Sequence, residues 1–289
     1  AGYRSLFISH LLPVGTAAAL ARRAGGLPYA VLVHGLDLRL AAGHRSRRHL
    51  ARWVLRGAQA VFANSERVAG ELRAFVPGLR PAVVTPGVWA RSFLPRATAR
   101  ARLGVEPGAF LCLTVARLVA RKGIDAFIRV LAEMPKDVRY VVVGEGLDRE
   151  RLQALVRTCG VADRVAFLFG CPDEERDAWL AAADLFVFLA REEGADLEGF
   201  GIAPLEASLA GLPVLAGRSG GVAEAVVHAE TGLLVDPNDP SAILETFFRL
   251  YQDPALRERL GRAGRIRAER DFRWEERWER LRQRLGSQD

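Results

Sequence analysis

Two carboxylates, Glu198 and Glu206, bracket the segment Glu-Gly-Phe-Gly-Ile-Ala-Pro-Leu-Glu with seven residues between them. From Gly201 to Ala216 the only ionisable side chain is Glu206. A carboxylate in so apolar a run is costly to desolvate unless something hydrogen-bonds to it, so its presence asks for a partner. Two such acids suit either bond-breaking chemistry shared between carboxylates or the holding of a ligand; a Glu that only complements a helix dipole is the plain alternative. Upstream, Ala116-Arg117-Leu118-Val119-Ala120-Arg121-Lys122-Gly123 follows an apolar run, Leu111 to Val115. A cation pair, Arg117 and Lys122, between a strand end and a helix start suits a diphosphate, because amides and two fixed charges neutralise one dianion together. Ordinary solvated charges would look the same. His34 ends the run Tyr29 to Val33 and is followed by Gly35 and Asp37. A histidine there can donate to a hydroxyl or carry a proton, or bond to nearby backbone.

The elements that must position these groups alternate along the chain. Strands are expected at Leu6–Ser9, Tyr29–Val33, Val61–Ala63 and Ala82–Thr85, with helices near Gly15–Arg23, Arg45–Gly57 and Glu66–Phe75. Residues 86–107 carry Pro, Gly and Arg with weak periodicity and read as a connection between two domains. Strands then recur at Phe110–Val115, Val138–Val143, Val165–Leu168, Leu185–Leu189 and Pro213–Ala216, each followed by a helix, and from Ser241 the chain reads as all helix. Trp274 and Trp278, one helical turn apart, are expected to face a core. Strand, loop, helix, strand, Gly-Gly, helix is how a doubly wound sheet builds a crevice at the carboxyl ends of its strands.

The Glu-x7-Glu element, followed by Gly-Leu-Pro-Val, Ser-Gly-Gly-Val-Ala-Glu-Ala-Val and Glu-Thr-Gly-Leu-Leu-Val-Asp-Pro, resembles the retaining nucleotide-sugar glycosyltransferases of family 4. The resemblance implies an α/β GT-B fold, two Rossmann-like parallel-sheet domains facing across a cleft. It divides the chain into an acceptor-side domain (1–95), a donor-binding domain (96–270) and a C-terminal helix (271–289) crossing back to the first. It implies that Arg117 and Lys122 hold the donor diphosphate, helped by Gly199, the amides of Phe200 and Gly201, and Ile202 at the helix start. Glu206 would take the ribose hydroxyls, Glu198 would orient the sugar near the reacting centre, and His34 would face the transferred sugar. The implied reaction moves a hexose to a glycan, lipid-linked or polysaccharide acceptor of the cell envelope with retention of configuration. No Asp-x-Asp occurs, in agreement with a metal-independent site lacking any cofactor. The wording Asp-Leu-Glu-Gly-Phe-Gly points to mannose or glucose donors.

The chain departs from that pattern at its start. It opens at what reads as a middle strand of the first domain, without the Gly-rich loop that family members carry, so a shortened or partial first domain is expected. The competing reading is a non-catalytic nucleotide-sugar-binding fragment; a paired-carboxylate glycosidase would leave the Arg117–Lys122 pair without purpose. The Gly144-Glu145-Gly146 turn lacks the third glycine of a dinucleotide fingerprint and reads as a tight turn.

A chain of 289 residues, half of them hydrophobic, supports two cores. Charge is uneven: residues 1–95 hold 13 Arg against Asp37, Glu66 and Glu71, a balance of +10, which leaves −3 for the rest of a +7 chain. The densest stretch, His44 to Arg56, puts Leu50, Trp53 and Val54 at core spacing and several Arg on the other face, fit to meet an anionic membrane surface or to stay solvated. No module of interleaved aromatic and basic residues suggests nucleic acid. Cys112, Cys159 and Cys171 lack Cys-x-x-Cys spacing and read as reduced residues of a cytoplasmic protein, with neither a signal peptide nor a transmembrane helix expected.

Overall fold

The computed structural model describes residues 4–194 and 196–286. The outermost residues of the expected first and last segments, 1–3 and 287–289, lie outside that description. The first sheet is all parallel in the order β1 (Leu6–Ile8), β2 (Tyr29–Val33), β3 (Ala60–Ala63), β4 (Ala82–Val83). Around it lie α1 (Val14–Arg23), α2 (Leu36–Ala42), α3 (Arg45–Gly57) and α4 (Glu66–Phe75). After α5 (Arg96–Arg102), the second sheet's strands are β5 (Phe110–Val115), β6 (Val138–Val143), β7 (Val165–Leu168), β8 (Leu185–Phe188), β9 (Val214–Gly217) and β10 (Gly232–Val235). Between them run α6 (Ile124–Val130), α7 (Arg149–Thr158), α8 (Asp173–Ala182), α9 (Ile202–Leu209) and α10 (Val222–Ala225). The chain closes with α11 (Pro240–Gln252), α12 (Pro254–Asp271) and α13 (Trp274–Gly286). Its spatial order is β10-β9-β8-β5-β6-β7, so the strand order reverses between β5 and β8, the switch point where open α/β sheets build ligand crevices. Two parallel Rossmann-like sheets of four and six strands are the α/β architecture the sequence implied.

The strands form where the sequence is apolar on both faces. Leu111, Leu113, Val141, Val143, Phe186 and Phe188 enter one core cluster, and Cys112, Val138, Tyr140, Val142, Leu185 and Val187 the other. That alternation is the two-residue strand period read off a continuous apolar run, the mark of a parallel sheet covered on both sides. The polar intruders are satisfied: Thr114 Oγ1 donates to Val187 O at 2.6 Å and lies 2.7 Å from the Tyr140 hydroxyl.

Four local expectations need correction. Residues 86–107 contain a helix, α5, held less by an apolar stripe than by Arg100, whose guanidinium donates to Ala182 O at 3.1 Å, Asp184 Oδ2 at 3.1 Å and Ala109 O at 2.6 Å. An arginine-anchored helix leaves little hydrophobic period to read. β10 is a further strand of four residues, not among those expected. In α3 the inward seam is Ala51, Val54 and Leu55, while Leu50 is exposed. In α13 the inward positions are Trp274, Arg277 and Leu281, so Trp278, offset from that stripe, is 63% exposed and faces no core.

α13 lays Leu281 and Leu285 against Ala30, Phe62 and Val84, covering the face of the first sheet opposite Val31, Val33 and Val61. The two connections run side by side, Val88 N donating to Phe272 O at 2.7 Å.

Candidate active site at the cleft

At the end of β5 the chain makes a single 3-10 turn, Ala120–Lys122, and enters α6 through Gly123, whose φ of +67° is left-handed. A Cβ on Gly123 would stand 1.8 Å from Leu189 O, so this turn is pressed against the end of β8. The loop after β8 then carries Glu198 onto the turn. Glu198, 9% exposed, accepts from Arg121 Nη1 at 2.5 Å and from Lys122 Nζ. Arg121, 8% exposed, also places Nε 3.0 Å from Asp196 Oδ1, and Lys122 Nζ stands 4.7 Å from the centre of the Phe188 ring. Burial lowers the Lys122 pKa, and the Glu198 carboxylate works against that shift.

Backbone approaches too close for any side chain bind the rest of the site. Added Cβ atoms on Gly220 and Gly221 would fall 2.1 Å from Glu198 O and 2.2 Å from Gly199 O, so the Ser-Gly-Gly loop is folded directly over the Glu198–Gly199 backbone. On the opposite side, a Cβ on Gly199 would lie 2.7 Å from both His34 O and Asn64 Nδ2, at the carboxyl ends of β2 and β3. The two sheets therefore meet with their carboxyl ends facing one cleft.

The residues singled out in the sequence divide within it. Lys122, Glu198 and Gly199 converge, and the carbonyl of His34 meets them at Gly199. Arg117 is exposed near them and forms no ion pair among the described residues. Glu206 lies on α9, where Arg91 Nη2 donates to it at 3.2 Å while Arg91 Nη1 holds Asp177 at 2.6 Å. Burial raises the Glu206 pKa, with Arg176 and Arg91 opposing. The Phe200 ring is core, 5.7 Å from that of Phe272. Gly201, φ +103°, precedes α9, and Ile202 opens that helix 44% exposed.

Sequence reasoning missed Arg121 as a partner of Glu198, although its adjacency to Lys122 in a short turn was the available signal. It also missed Asn64 and Ser219, whose Oδ1 and Oγ are buried without a hydrogen-bond partner among the described residues.

His34 is solvent-exposed at its ring; its amide donates to Asp37 Oδ1 at 3.2 Å. Partial burial lowers its pKa, Asp37 raises it and His10 lowers it further. The unfolded chain therefore takes up this proton first as pH falls through the ordinary histidine range, so His34 contributes stability at neutral pH that is lost on acidification. His34→Gln is expected to flatten the pH dependence of the melting temperature below neutrality relative to the parent; parallel curves would refute that. His34 and His10 also edge a groove of about 1040 Å³ between α1, α2 and α3, walled by Leu12, Leu20, Leu36 and Leu40 with Arg47 at its side.

Comparison with known proteins gives this geometry a family. The family described as "Glycosyl transferases group 1" matches residues 95–267, and the one described as "Glycosyl transferase 4-like domain" matches residues 4–87. The chain belongs to the group 1 glycosyltransferases. A relative in Mycolicibacterium smegmatis, named GDP-mannose-dependent alpha-(1-6)-phosphatidylinositol monomannoside mannosyltransferase, is 37% identical over 280 residues, covering 93% of this glycosyltransferase and 72% of the relative. A D-inositol 3-phosphate glycosyltransferase of Pseudarthrobacter chlorophenolicus is 34% identical over 227 residues, 75% of this chain and 53% of its own. Among solved structures, sucrose-phosphate synthase from Thermosynechococcus elongatus superposes with a TM-score of 0.88 at 27% identity, covering 100% of this chain and 75% of the other. Anabaena HepE, solved with UDP-glucose, gives 0.85 at 23% identity, covering 99% of this chain and 79% of the other, a likeness of fold. Both GT-B sheets of this group 1 glycosyltransferase thus have counterparts in these structures.

Proposed function

We propose that the chain transfers a hexose, with GDP-mannose the first donor to try, to the hydroxyl of a lipid-borne acceptor, retaining the anomeric configuration and needing no metal ion. The observation that carries the reading is the meeting of Lys122, Arg121 and Glu198 at the end of the second sheet, with the neighbouring Gly199 against the His34 carbonyl at the end of the first. Breaking the anomeric bond builds negative charge on the diphosphate and positive charge on the sugar ring. Lys122, Arg117 and the amides of Phe200 and Gly201 would stabilise the first, which is electrostatic assistance aimed where charge develops. Lys122, now held by Glu198, would be shared between that carboxylate and a phosphate oxygen, tying the sugar-orienting Glu198 to donor binding. Glu206, drawn from Arg91, would accept from ribose hydroxyls. Attack by the acceptor on the face the diphosphate leaves accounts for retention. The apolar groove that starts at His34, with Arg47 beside it, suits the alkyl part and anionic head of a lipid acceptor. The name of the first relative, a phosphatidylinositol monomannoside mannosyltransferase, favours such an acceptor, while that of the second carries an inositol phosphate without a lipid. Among the described residues no helix is long and apolar enough to cross a membrane, so the lipid would be met at a surface.

The test is titration with GDP, UDP and ADP in EDTA, followed by incubation of GDP-[14C]mannose with vesicles containing phosphatidylinositol monomannoside. GDP is expected to bind, at least tenfold more weakly to Lys122→Ala, and label is expected in the lipid. GDP binding with no label in lipid or water would favour a chain that only binds the donor. A folded chain that binds none of the three nucleotides would sink the donor site.

A further inference from the structure

The second domain caps a helix of the first. The opening amides of α4, which has no turn before it to accept from them, need outside partners. Ser65 Oγ accepts from Val68 N at 3.2 Å, within the helix's own domain. The two amides before it go elsewhere: Glu66 N donates to Glu224 Oε2 at 2.8 Å and Arg67 N to Glu224 Oε1 at 3.0 Å. One carboxylate from α10 thus takes both, with its charge at the positive end of the α4 dipole.

Glu224 is well placed to transmit this. It sits on the short helix entered directly from the Ser-Gly-Gly loop that lies over Glu198 and Gly199. Its own carbonyl and that of Ala225 accept from Arg267 of α12, at 2.8 and 2.7 Å, so its base is fixed to the second domain. On the other side, Asn64, two residues before Glu66, meets Gly199. Asn64–Glu66 therefore touches the second domain at two successive points, and a cleft that opened would lose both. Glu192 adds a flanking contact, to Arg67 at 3.1 Å and Arg39 at 3.7 Å, exposed and correspondingly weak.

We propose that Glu224 is the positioning residue that holds the cleft closed, setting His34 and Asn64 against the Glu198–Gly199 loop by capping α4 from across the domain boundary. Its consequence for catalysis rests on the transferase reading above; the cap itself does not.

Amide hydrogen exchange separates the two. In Glu224→Ala the amides of Glu66 and Arg67 are expected to exchange at least tenfold faster, with Val68, capped inside its own domain, within twofold of the parent. Glu224→Gln, which keeps one acceptor oxygen, is expected to restore part of that protection. A second variant leaves Glu224 untouched: Glu66→Pro deletes one donor at the first helical position, where proline is tolerated, and Ser65 is already extended (φ −161°, ψ 160°) as a residue before proline requires. It is expected to keep Val68 protected while exposing Arg67 less than Glu224→Ala does. Equal exchange at Glu66 and Arg67 in parent and Glu224→Ala would overturn the cap, and so would loss of protection at Val68, which would make Glu224 a folding residue. With GDP affinity within twofold of the parent, mannosyl transfer by Glu224→Ala is expected to fall about tenfold in kcat/KM, and unchanged transfer would overturn the positioning role. A parent chain that transfers no mannose while showing the exchange pattern would refute the donor or acceptor assignment and leave the cap standing.

Discussion

Glu198→Ala is expected to lower stability by about 3–5 kcal/mol, because it strands two buried cations on one side of the cleft. Arg121 keeps Asp196 as a neighbour, but Lys122, 11% exposed along its side chain, has no second carboxylate in contact among the described residues. For a domain of this size that loss lowers the melting temperature by roughly 6–20 °C. Glu198→Gln keeps the volume and one acceptor and is expected to fall between parent and alanine. The pH dependence gives the mechanism. Burial already lowers the Lys122 pKa with Glu198 opposing it, and removing Glu198 lowers it further. A lysine whose folded pKa lies below its unfolded value binds more protons when unfolded, so stability rises with pH. The gap between parent and Glu198→Ala is therefore expected to narrow as pH rises from neutrality towards the ordinary lysine range. Thermal melts at pH 7 and pH 9 read it directly; an unchanged melting temperature, or a gap constant with pH, would mean that these side chains are solvated rather than held as a buried trio. Activity is expected to vanish in both variants, but only the melt distinguishes lost chemistry from a collapsed site.

Strands were the most legible part of the fold, for a reason visible in β6. Val138, Tyr140 and Val142 face one core, Val141 and Val143 the other, and an unbroken apolar run with β-branched residues has few other uses. Helices held by polar anchors were not legible: α5 depends on Arg100 reaching Ala182, Asp184 and Ala109, partners far away or irregular in sequence. The site shows the same split. Glu206 stood out as the one ionisable side chain in an apolar run, which demands a partner, and Glu198 by its Glu-x7-Glu spacing from it, yet which cation answers Glu198 is a matter of turn geometry. The sequence gives no reason to choose Arg117 over Arg121; the 3-10 turn does, by placing Arg121 and Lys122 together under Glu198 and leaving Arg117 exposed. Asn64 and Glu224 were beyond reach, since each acts across the domain boundary through backbone that no local pattern encodes.

That boundary is made of glycine as much as of charge. Gly199, Gly220 and Gly221 occupy points where a Cβ would meet backbone or Asn64 at 2.7 Å or less, so the loops over Glu198 can approach only because these positions are bare. The Glu-Gly-Phe-Gly and Ser-Gly-Gly segments therefore serve close packing of loops in addition to any freedom of φ.

Gly123→Ala is expected to be the most damaging glycine substitution for donor binding. Two costs act there: the left-handed φ of +67°, and a Cβ 1.8 Å from the carbonyl oxygen of Leu189. The first is about 1–2 kcal/mol for an L-residue. The second cannot be relieved by rotating a side chain, because the obstacle is backbone at the end of β8. The turn must lift away, and Arg121 and Lys122, which immediately precede Gly123, leave Glu198 with it. Gly160 supplies the control: it has the same φ of +67° with nothing within 4 Å of an added Cβ. Gly160→Ala is expected to show the conformational cost alone, whereas Gly123→Ala should lose at least a further 2 kcal/mol or so and bind GDP tenfold or more weakly. Chemical denaturation of the two variants side by side, with a GDP titration of each, isolates the contact from the torsion. Equal destabilisation, or a Gly123→Ala chain with parental nucleotide affinity, would show that the turn does not need to rest on β8 to present its cations.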